Sequence, residues 1–178
     1  MKLADLPPIE YLRECFELDN SSPSGLVWKK RDADKSAYNK SFNTRYVGIK
    51  AGTKGERYWR LVLDFKQYSV HRIVYLMRNP EADMSLYIDH INGDGFDNSP
   101  ENLRLATVGE NQYNARVGKN SKSGIKGIYQ SPSGLRWQVR INKDKKKIRI
   151  GSFPSLEEAK IAYEQASIKY HGEFRRIE

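Results

Sequence analysis

The sequence predicts an α+β chain with a β-rich N-terminal portion, a strand–loop–strand–helix unit, and a small three-stranded sheet followed by a helix. Three observations predict it. Short apolar runs separated by Gly, Ser and Lys clusters fill residues 26–70 and return after residue 125. Helical spacing of apolar residues is confined to brief stretches. Between the two β-rich regions lies a polar loop, 89–100, flanked by one short apolar run on each side.

At 178 residues the chain can form one ordinary domain or two small ones. It is polar, with a mean hydropathy of −0.76. An aromatic content of 11% nevertheless argues against general disorder. No apolar run approaches the roughly 20 residues of a membrane helix, and Met1-Lys-Leu-Ala-Asp-Leu-Pro-Pro lacks a secretory apolar stretch. The expectation is a soluble, cytoplasmic protein without a membrane partner. Cys15 is the single cysteine, which excludes an internal disulfide and a Cys-rich zinc site. With only His71, His90 and His171 as imidazoles, a bound metal would rest mostly on oxygens, which suits Mg²⁺ or Mn²⁺.

The elements follow in order. Ile9, Leu12 and Phe16 mark a short amphipathic helix within 5–19. Leu26-Val-Trp, Tyr46-Val-Gly-Ile, Trp59-Arg-Leu-Val-Leu and Tyr68-Ser-Val read as strands, and a helix over 71–78 is closed by Asn79-Pro80. Residues 84–116 form the core unit: strand Leu86-Tyr-Ile, the loop, strand Leu103-Arg-Leu, and a helix over 108–116. Thr107 and Glu110 make a capping box for that helix. Residues 118–124 read as a linker between a first domain, 1–117, and a second, 125–178. There, runs at 125–130, 135–142 and 146–151 are strands, and a helix capped by Ser155 extends to about Tyr170.

The charge of +9 is concentrated. Residues 115–150 hold eleven basic residues against the single acid Asp144, which leaves the remainder near neutral overall. Such a patch fits a polyanion, usually nucleic acid; the alternative is a merely solvated face. Alternation sharpens the point. On the second strand of the module Trp137, Val139 and Ile141 face one way, and Arg136, Gln138, Arg140 and Asn142 the other. On the third, Ile148 and Ile150 oppose Lys147 and Arg149. Arg and Gln on such a face can read base edges and Lys can neutralise phosphate.

In the core unit Asp89-His90 ends a strand, with Asn102 and Asn111 following 12 and 21 positions after His90. A strand–loop–strand–helix hairpin brings the strand end and the helix together, so the Asp89 carboxylate and the Asn111 amide oxygen could share one hard cation. His90, on the other side of the strand, could take a proton from an attacking water. Asp94 and Asp97 read as turn formers, His71 as a structural or buttressing histidine, and His171 as a helix C-terminal cap.

Tyr87-Ile-Asp-His-Ile-Asn-Gly-Asp, Asp97-Asn, Glu101-Asn-Leu-Arg and Glu110-Asn, preceded by Val70-His-Arg-Ile-Val-Tyr, resemble the HNH (ββα-metal) endonucleases of phages and mobile introns. The resemblance implies a homing-type nuclease that hydrolyses duplex DNA to 5′ phosphate and 3′ hydroxyl ends, with one divalent ion per active site. His90 would be the general base, Asn102 the central Asn bracing the loop, and Asp89 and Asn111 the metal ligands. Many relatives carry His at the last place. Gly95 and Ser99 stand where relatives often have basic residues, which puts phosphate contacts from this loop in question.

Residues 125–172 are similar to the Apetala/ethylene-response DNA-binding domain, through Ser123-Gly-Ile-Lys-Gly-Ile-Tyr, Trp137-Gln-Val-Arg-Ile, Ile150-Gly-Ser-Phe, Glu158-Ala, Ala162-Tyr and His171-Gly. That family lays its sheet in the major groove. The resemblance and the charge together give a DNA-facing set of Lys126, Tyr129, Arg136, Gln138, Arg140, Asn142, Lys145, Lys146, Lys147 and Arg149. Tyr129, like Trp137, has sheet-edge packing as its alternative role. The expected partner is double-stranded DNA and the favoured state a monomer. Two other readings stay open: a catalytically silent, sequence-specific DNA-binding regulator, and an RNA-directed HNH enzyme.

Overall fold

The computed structural model describes residues 5–118 and 120–176. The fold is mixed α/β, built from small sheets of two or three strands and, among the described residues, five α-helices. Two compact units divide the chain, Met1–Leu105 and Ala106–Glu178. The division falls inside the 84–116 stretch expected as one unit, rather than at 118–124.

In the first unit helix α1 (Ile9–Cys15) leads into strand β1 (Phe16–Leu18), which pairs antiparallel with β2 (Leu26–Trp28). The expected helix is therefore shorter. Phe16 leaves it because it pairs with Trp28 across the two strands, ring centroids 4.7 Å apart. A second difference follows. Residues 37–46 are a helix, α2 (Ala37–Tyr46), not part of a β-rich run ending in Tyr46-Val-Gly-Ile. The Ser36 hydroxyl accepts from the Asn39 amide and starts the helix, while the apolar run behind Tyr46 is too short for a strand. Val47 and Lys50 make only isolated bridges, to Trp28 and Val27.

Strands β3 (Thr53–Lys54), β4 (Trp59–Leu63) and β5 (Lys66–Ser69) form an antiparallel sheet, and α3 (Val70–Arg78) packs against it. On β4, Trp59, Leu61 and Leu63 are buried, while Arg60 and Val62 are exposed, as period two demands. With Leu12, Phe16, Leu26, Val70, Ile73 and Val74 these side chains form the first core. Strands β6 (Tyr87–His90) and β7 (Leu103–Ala106) pair at its margin.

The second unit begins with the short helix α4 (Val108–Tyr113). Its capping box is present in full: Thr107 Oγ1 accepts from the Glu110 amide, and the Glu110 carboxylate accepts from the Thr107 amide. Strands β8 (Ile128–Gln130), β9 (Trp137–Lys143) and β10 (Lys146–Phe153) form a meander in the order β10-β9-β8, with α5 (Leu156–His171) across one face. Ile128, Val139, Ile141, Ala159, Tyr163 and Ala166 fill the second core. Gly127 is required here: a Cβ would lie 2.4 Å from both the Arg140 carbonyl oxygen and the Tyr163 ring. Residues α4 and α5 are joined by a stack of Tyr113 on His171, ring centroids 3.9 Å apart. No helix among the described residues is long and apolar enough to cross a membrane.

Candidate active site

Strand β6 runs past Ile88 to include Asp89 and His90, and it buries both, at 4% and 5% exposure. Burial of two polar side chains at a strand end requires partners. Asp89 has one in Arg104 of β7, whose Nε and guanidinium nitrogen reach Oδ2 at 2.9 and 2.8 Å. His90 has Asn98: Nε2 lies 3.2 Å from the amide oxygen.

The Asn98 amide is itself oriented. Its Nδ2 donates to the carbonyl of Ser24 at 2.8 Å, so Oδ1 is left to accept from the imidazole. A neutral His90 then carries its proton on Nε2, and Nδ1 is the basic nitrogen. Burial lowers the His90 pKa below its ordinary value, partly offset by the Asn98 bond and by Asp89. The ring is neutral at physiological pH, as a proton acceptor must be.

Aromatic walls hold the ring in place. Tyr58 stacks on His90 with centroids 5.6 Å apart and planes 21° apart. His71, at the start of α3, meets both rings: edge-on to His90 at 5.0 Å and tilted against Tyr58 at 4.9 Å. Desolvation pushes His71 down to about 3, so it too is neutral. Tyr58 approaches this closely because Gly95 has no side chain: a Cβ there would stand 2.1 Å from the Arg57 carbonyl oxygen. A basic residue cannot occupy position 95 with this backbone, which accounts for the absent cation.

The loop from 91 to 102 is braced by its own amides. Asn102 Oδ1 accepts from the Asn92 amide at 2.9 Å, and its Nδ2 donates to the Asp97 carbonyl at 2.7 Å. Asp94 and Asp97 form turns, accepting from the amides two residues on, and Ser99 holds the carboxylate of Asp97 below the usual range. From sequence, Asn98 and Arg104 stand only within the motifs of the family resemblance, with no role of their own, and Tyr58 carries no signal. Asn98 in particular reads as one more turn residue in an Asn-rich loop, with nothing local to reveal its reach to Ser24.

Asn111 is half-buried on α4 in the second unit, its amide bonded to the Thr107 carbonyl. Among the described residues no group of three His, Cys, Asp or Glu side chains could hold a metal by itself. Asp89 is a hard oxygen donor beside an imidazole. A cation there would complete its shell with amide, phosphate and water oxygens, which fits Mg²⁺, an ion that keeps several waters.

The pattern of the HNH endonuclease family matches residues 68–113, from β5 to α4, and so spans His71, Asp89, His90, Asn98, Asn102, Arg104 and Asn111. Protein 3.8 of Escherichia phage T7 is 31% identical over 107 residues, covering 60% of this chain and 88% of that protein. The segment 68–113 is an HNH endonuclease domain. An uncharacterized HNH endonuclease of Acanthamoeba polyphaga mimivirus is 28% identical over 112 residues, 62% of this chain and 57% of that protein. A second from the same virus is 38% identical over 55 residues, 30% of this chain but only 14% of its own length. No solved structure matches the chain at a significant level.

Beyond this HNH segment, the exposed sheet face of the second unit carries the basic residues in register. Gln138 lies between Tyr129 and Ser152, Arg140 opposite Arg149, and Asn142 opposite Lys147. Arg140, Asn142, Lys147, Arg149 and Tyr129 are exposed, while Val139 and Ile141 are buried. Arg140 donates to Gln138 Oε1 at 2.8 Å, and its guanidinium lies 6.0 Å from the centroid of the Tyr129 ring. Lys145 and Lys146 flank the hairpin tip, where Asp144 and Lys145 both take positive φ. Arg136 precedes β9 and bonds Ser152.

Two expectations change. Lys126 does not extend from the sheet: its ammonium donates to the carbonyls of Gln112, Tyr113 and Ala115 at the end of α4. These carbonyls cluster at and just past the helix terminus, where the Gln112 carbonyl also accepts from the Ala115 amide, and the cation adds to their satisfaction. Burial lowers the Lys126 pKa to about 8. His171 does not cap α5. Its Nε2 meets the Asn142 carbonyl at 2.7 Å, and Gly172 ends the helix.

Proposed function

We propose that this chain is a metal-dependent endonuclease of the homing HNH type that hydrolyses phosphodiester bonds in double-stranded DNA. The observation that carries the reading is His90: buried, neutral, with its tautomer set by Asn98, and adjacent to the carboxylate of Asp89. Such a group suits a general base that removes a proton from an attacking water. Asp89 would hold the cation. Asn111 is carried as the second ligand on the family resemblance, with Mg²⁺ or Mn²⁺ as the ion and one ion per site. The metal, when bound, would supply Lewis-acid stabilisation of the phosphate and the leaving oxygen. Asn102 acts by bracing the loop that precedes β7.

The exposed face of β8–β10 serves as the grip on DNA, in the manner of the Apetala/ethylene-response domain. Arg140, Gln138 and Asn142 would be placed for base edges, and Lys145, Lys146, Lys147 and Arg149 for phosphates. Arg136 and Tyr129 would flank that face.

The test is supercoiled plasmid incubated with the intact chain and Mg²⁺ or Mn²⁺, against an EDTA control. Metal-dependent conversion to nicked or linear DNA supports the reading, and His90→Ala should abolish it while duplex affinity stays within about threefold. One observation favours a second reading, a catalytically silent DNA-binding regulator: Asp89 is occupied by Arg104. Duplex binding with no cleavage in either metal would select it.

A further inference from the structure

Outside the basic window 115–150 the chain is not evenly neutral. Residues 29–60 hold ten basic residues, Lys29, Lys30, Arg31, Lys35, Lys40, Arg45, Lys50, Lys54, Arg57 and Arg60, against Asp32, Asp34 and Glu56. This net +7 was hidden in the total because the remaining segments are acidic. All ten except Arg31 are exposed, and among the described residues none is paired with a carboxylate.

Helix α2 lies at the centre of that window, and its construction is unusual for a packing element. Only Phe42 is buried. Phe42 sets its edge against Trp28 at 5.2 Å, and the Arg31 guanidinium lies 3.8 Å from the centroid of its ring. Two amides stitch the helix to the preceding chain: Asn43 bonds both backbone groups of Arg31, and Asn39 donates to the Asp32 carbonyl. The helix is thus fixed in orientation with little apolar burial. Opposite Phe42, at helical spacing, stand Ala37, Lys40, Ser41 and Thr44, small or cationic and all exposed. Tyr38, at 66% exposure, and Tyr46 flank Phe42 on its own side, ring centroids 6.3 and 5.0 Å from it, and exposed Arg45 stands on the shoulder of that side, three positions after Phe42. No acid lies in the helix. Lys50, Lys54 and Arg60 continue the cationic run onto the β3–β4 hairpin.

Unneutralised cations beside short hydroxyl side chains and exposed Tyr rings complement a sugar–phosphate backbone, and small outward residues allow a helix to approach it closely. We propose that α2 and the adjoining hairpin form a second duplex-DNA contact surface, carried by the first unit and separate from the β8–β10 sheet. This inference rests on the reading of the chain as DNA-acting, but binding is measurable without cleavage.

The experiment uses the full chain with EDTA present and a fluorescein-labelled duplex, titrated by anisotropy from 50 to 300 mM salt. One variant is Lys40→Glu with Arg45→Glu; a charge-matched control is Lys160→Glu with Lys169→Glu, both exposed on α5. The α2 variant should lose at least tenfold in affinity, and its plot of log K against log salt should become shallower by about 2, one counterion per lost phosphate contact. The control should stay within about threefold. Equal losses in both variants, or no loss in the first, overturn the proposal. Should the reversal variant unfold by circular dichroism, Lys40→Gln with Arg45→Gln is scored instead, with the same slope change at half the affinity loss on a log scale. Plasmid cleavage by wild type is read separately. Its absence would count against the nuclease reading and leave the anisotropy result to decide the surface.

Discussion

Asn98 Oδ1 and His90 Nε2 are 3.2 Å apart, and both residues are buried under Tyr58, His71 and the Ser24 loop. The amide cannot turn without giving up its bond to the Ser24 carbonyl. Replacing Asn98 by Ala should therefore do two things. It leaves the Ser24 carbonyl and the His90 nitrogen without their partner, a cost of about 1–3 kcal/mol in denaturant unfolding. It also lets the His90 ring rotate and change tautomer. If His90 is the base proposed above, cleavage should slow in kcat with KM little changed, since a base acts on the chemistry and not on docking. A variant that cuts as fast as wild type would show that Asn98 only stabilises the fold.

Arg104 and Asp89 form a pair that is almost fully buried, at 15% and 5% side-chain exposure. Removing one partner of such a pair strands the other charge, typically costing about 3–5 kcal/mol. Arg104→Met should be destabilised on that scale in EDTA. If Asp89 binds the cation, Mg²⁺ should recover part of the loss, so that the metal-induced rise in Tm is larger in Arg104→Met than in wild type. Equal rises in both proteins would argue that Asp89 is not a ligand.

His71 titrates at about 3 in the folded chain against an ordinary 6.5, chiefly through desolvation. Below 6.5 the unfolded chain binds a proton that the folded chain refuses. The stabilisation present above pH 6.5 is therefore lost progressively as pH falls towards 3. His90, shifted in the same direction, adds to this. His71→Phe should flatten the fall in stability between pH 6.5 and 4, measured by chemical denaturation at each pH. An unchanged profile would mean that the charge imposed on His71 is accommodated by local opening.

Lys126 and Lys146 should separate by role. Lys126 satisfies carbonyls at the end of α4, so Lys126→Met should lower the stability of the second unit by about 1–2 kcal/mol, with DNA affinity corrected for folding near wild type. Lys146, exposed at the hairpin, should do the reverse: Lys146→Ala weakens binding to every duplex alike and reduces the salt dependence by about one counterion. Arg140→Ala should instead cost on the order of 1–3 kcal/mol on the target and little on a scrambled duplex, if it reads a guanine edge. Thermal unfolding and salt-series titrations of the three variants decide between these outcomes.

What the sequence determined by itself was whatever depends on neighbours in the chain. The capping box at Thr107 and Glu110, the Ser155 cap of α5, the alternation of Val139 and Ile141 with Arg140 and Asn142, and the Asx turns of Asp94 and Asp97 all act over two to four residues. The Asp89-His90 constellation was legible because its spacing is fixed by one strand and one loop. Tertiary structure alone decided which nitrogen of His90 is basic, since that depends on an Asn98 amide held by Ser24, 74 residues away in sequence. It also turned Lys126 from a surface cation into a helix cap and gave Asp89 to Arg104. It made a helix of 37–46 as well, where Ser36 and the Phe42–Trp28 contact outweigh the weak strand preference at Tyr46-Val-Gly-Ile. The physical reason is common to the first three. A polar or charged side chain takes the partner that desolvation leaves within reach, and folding chooses that partner from distant segments.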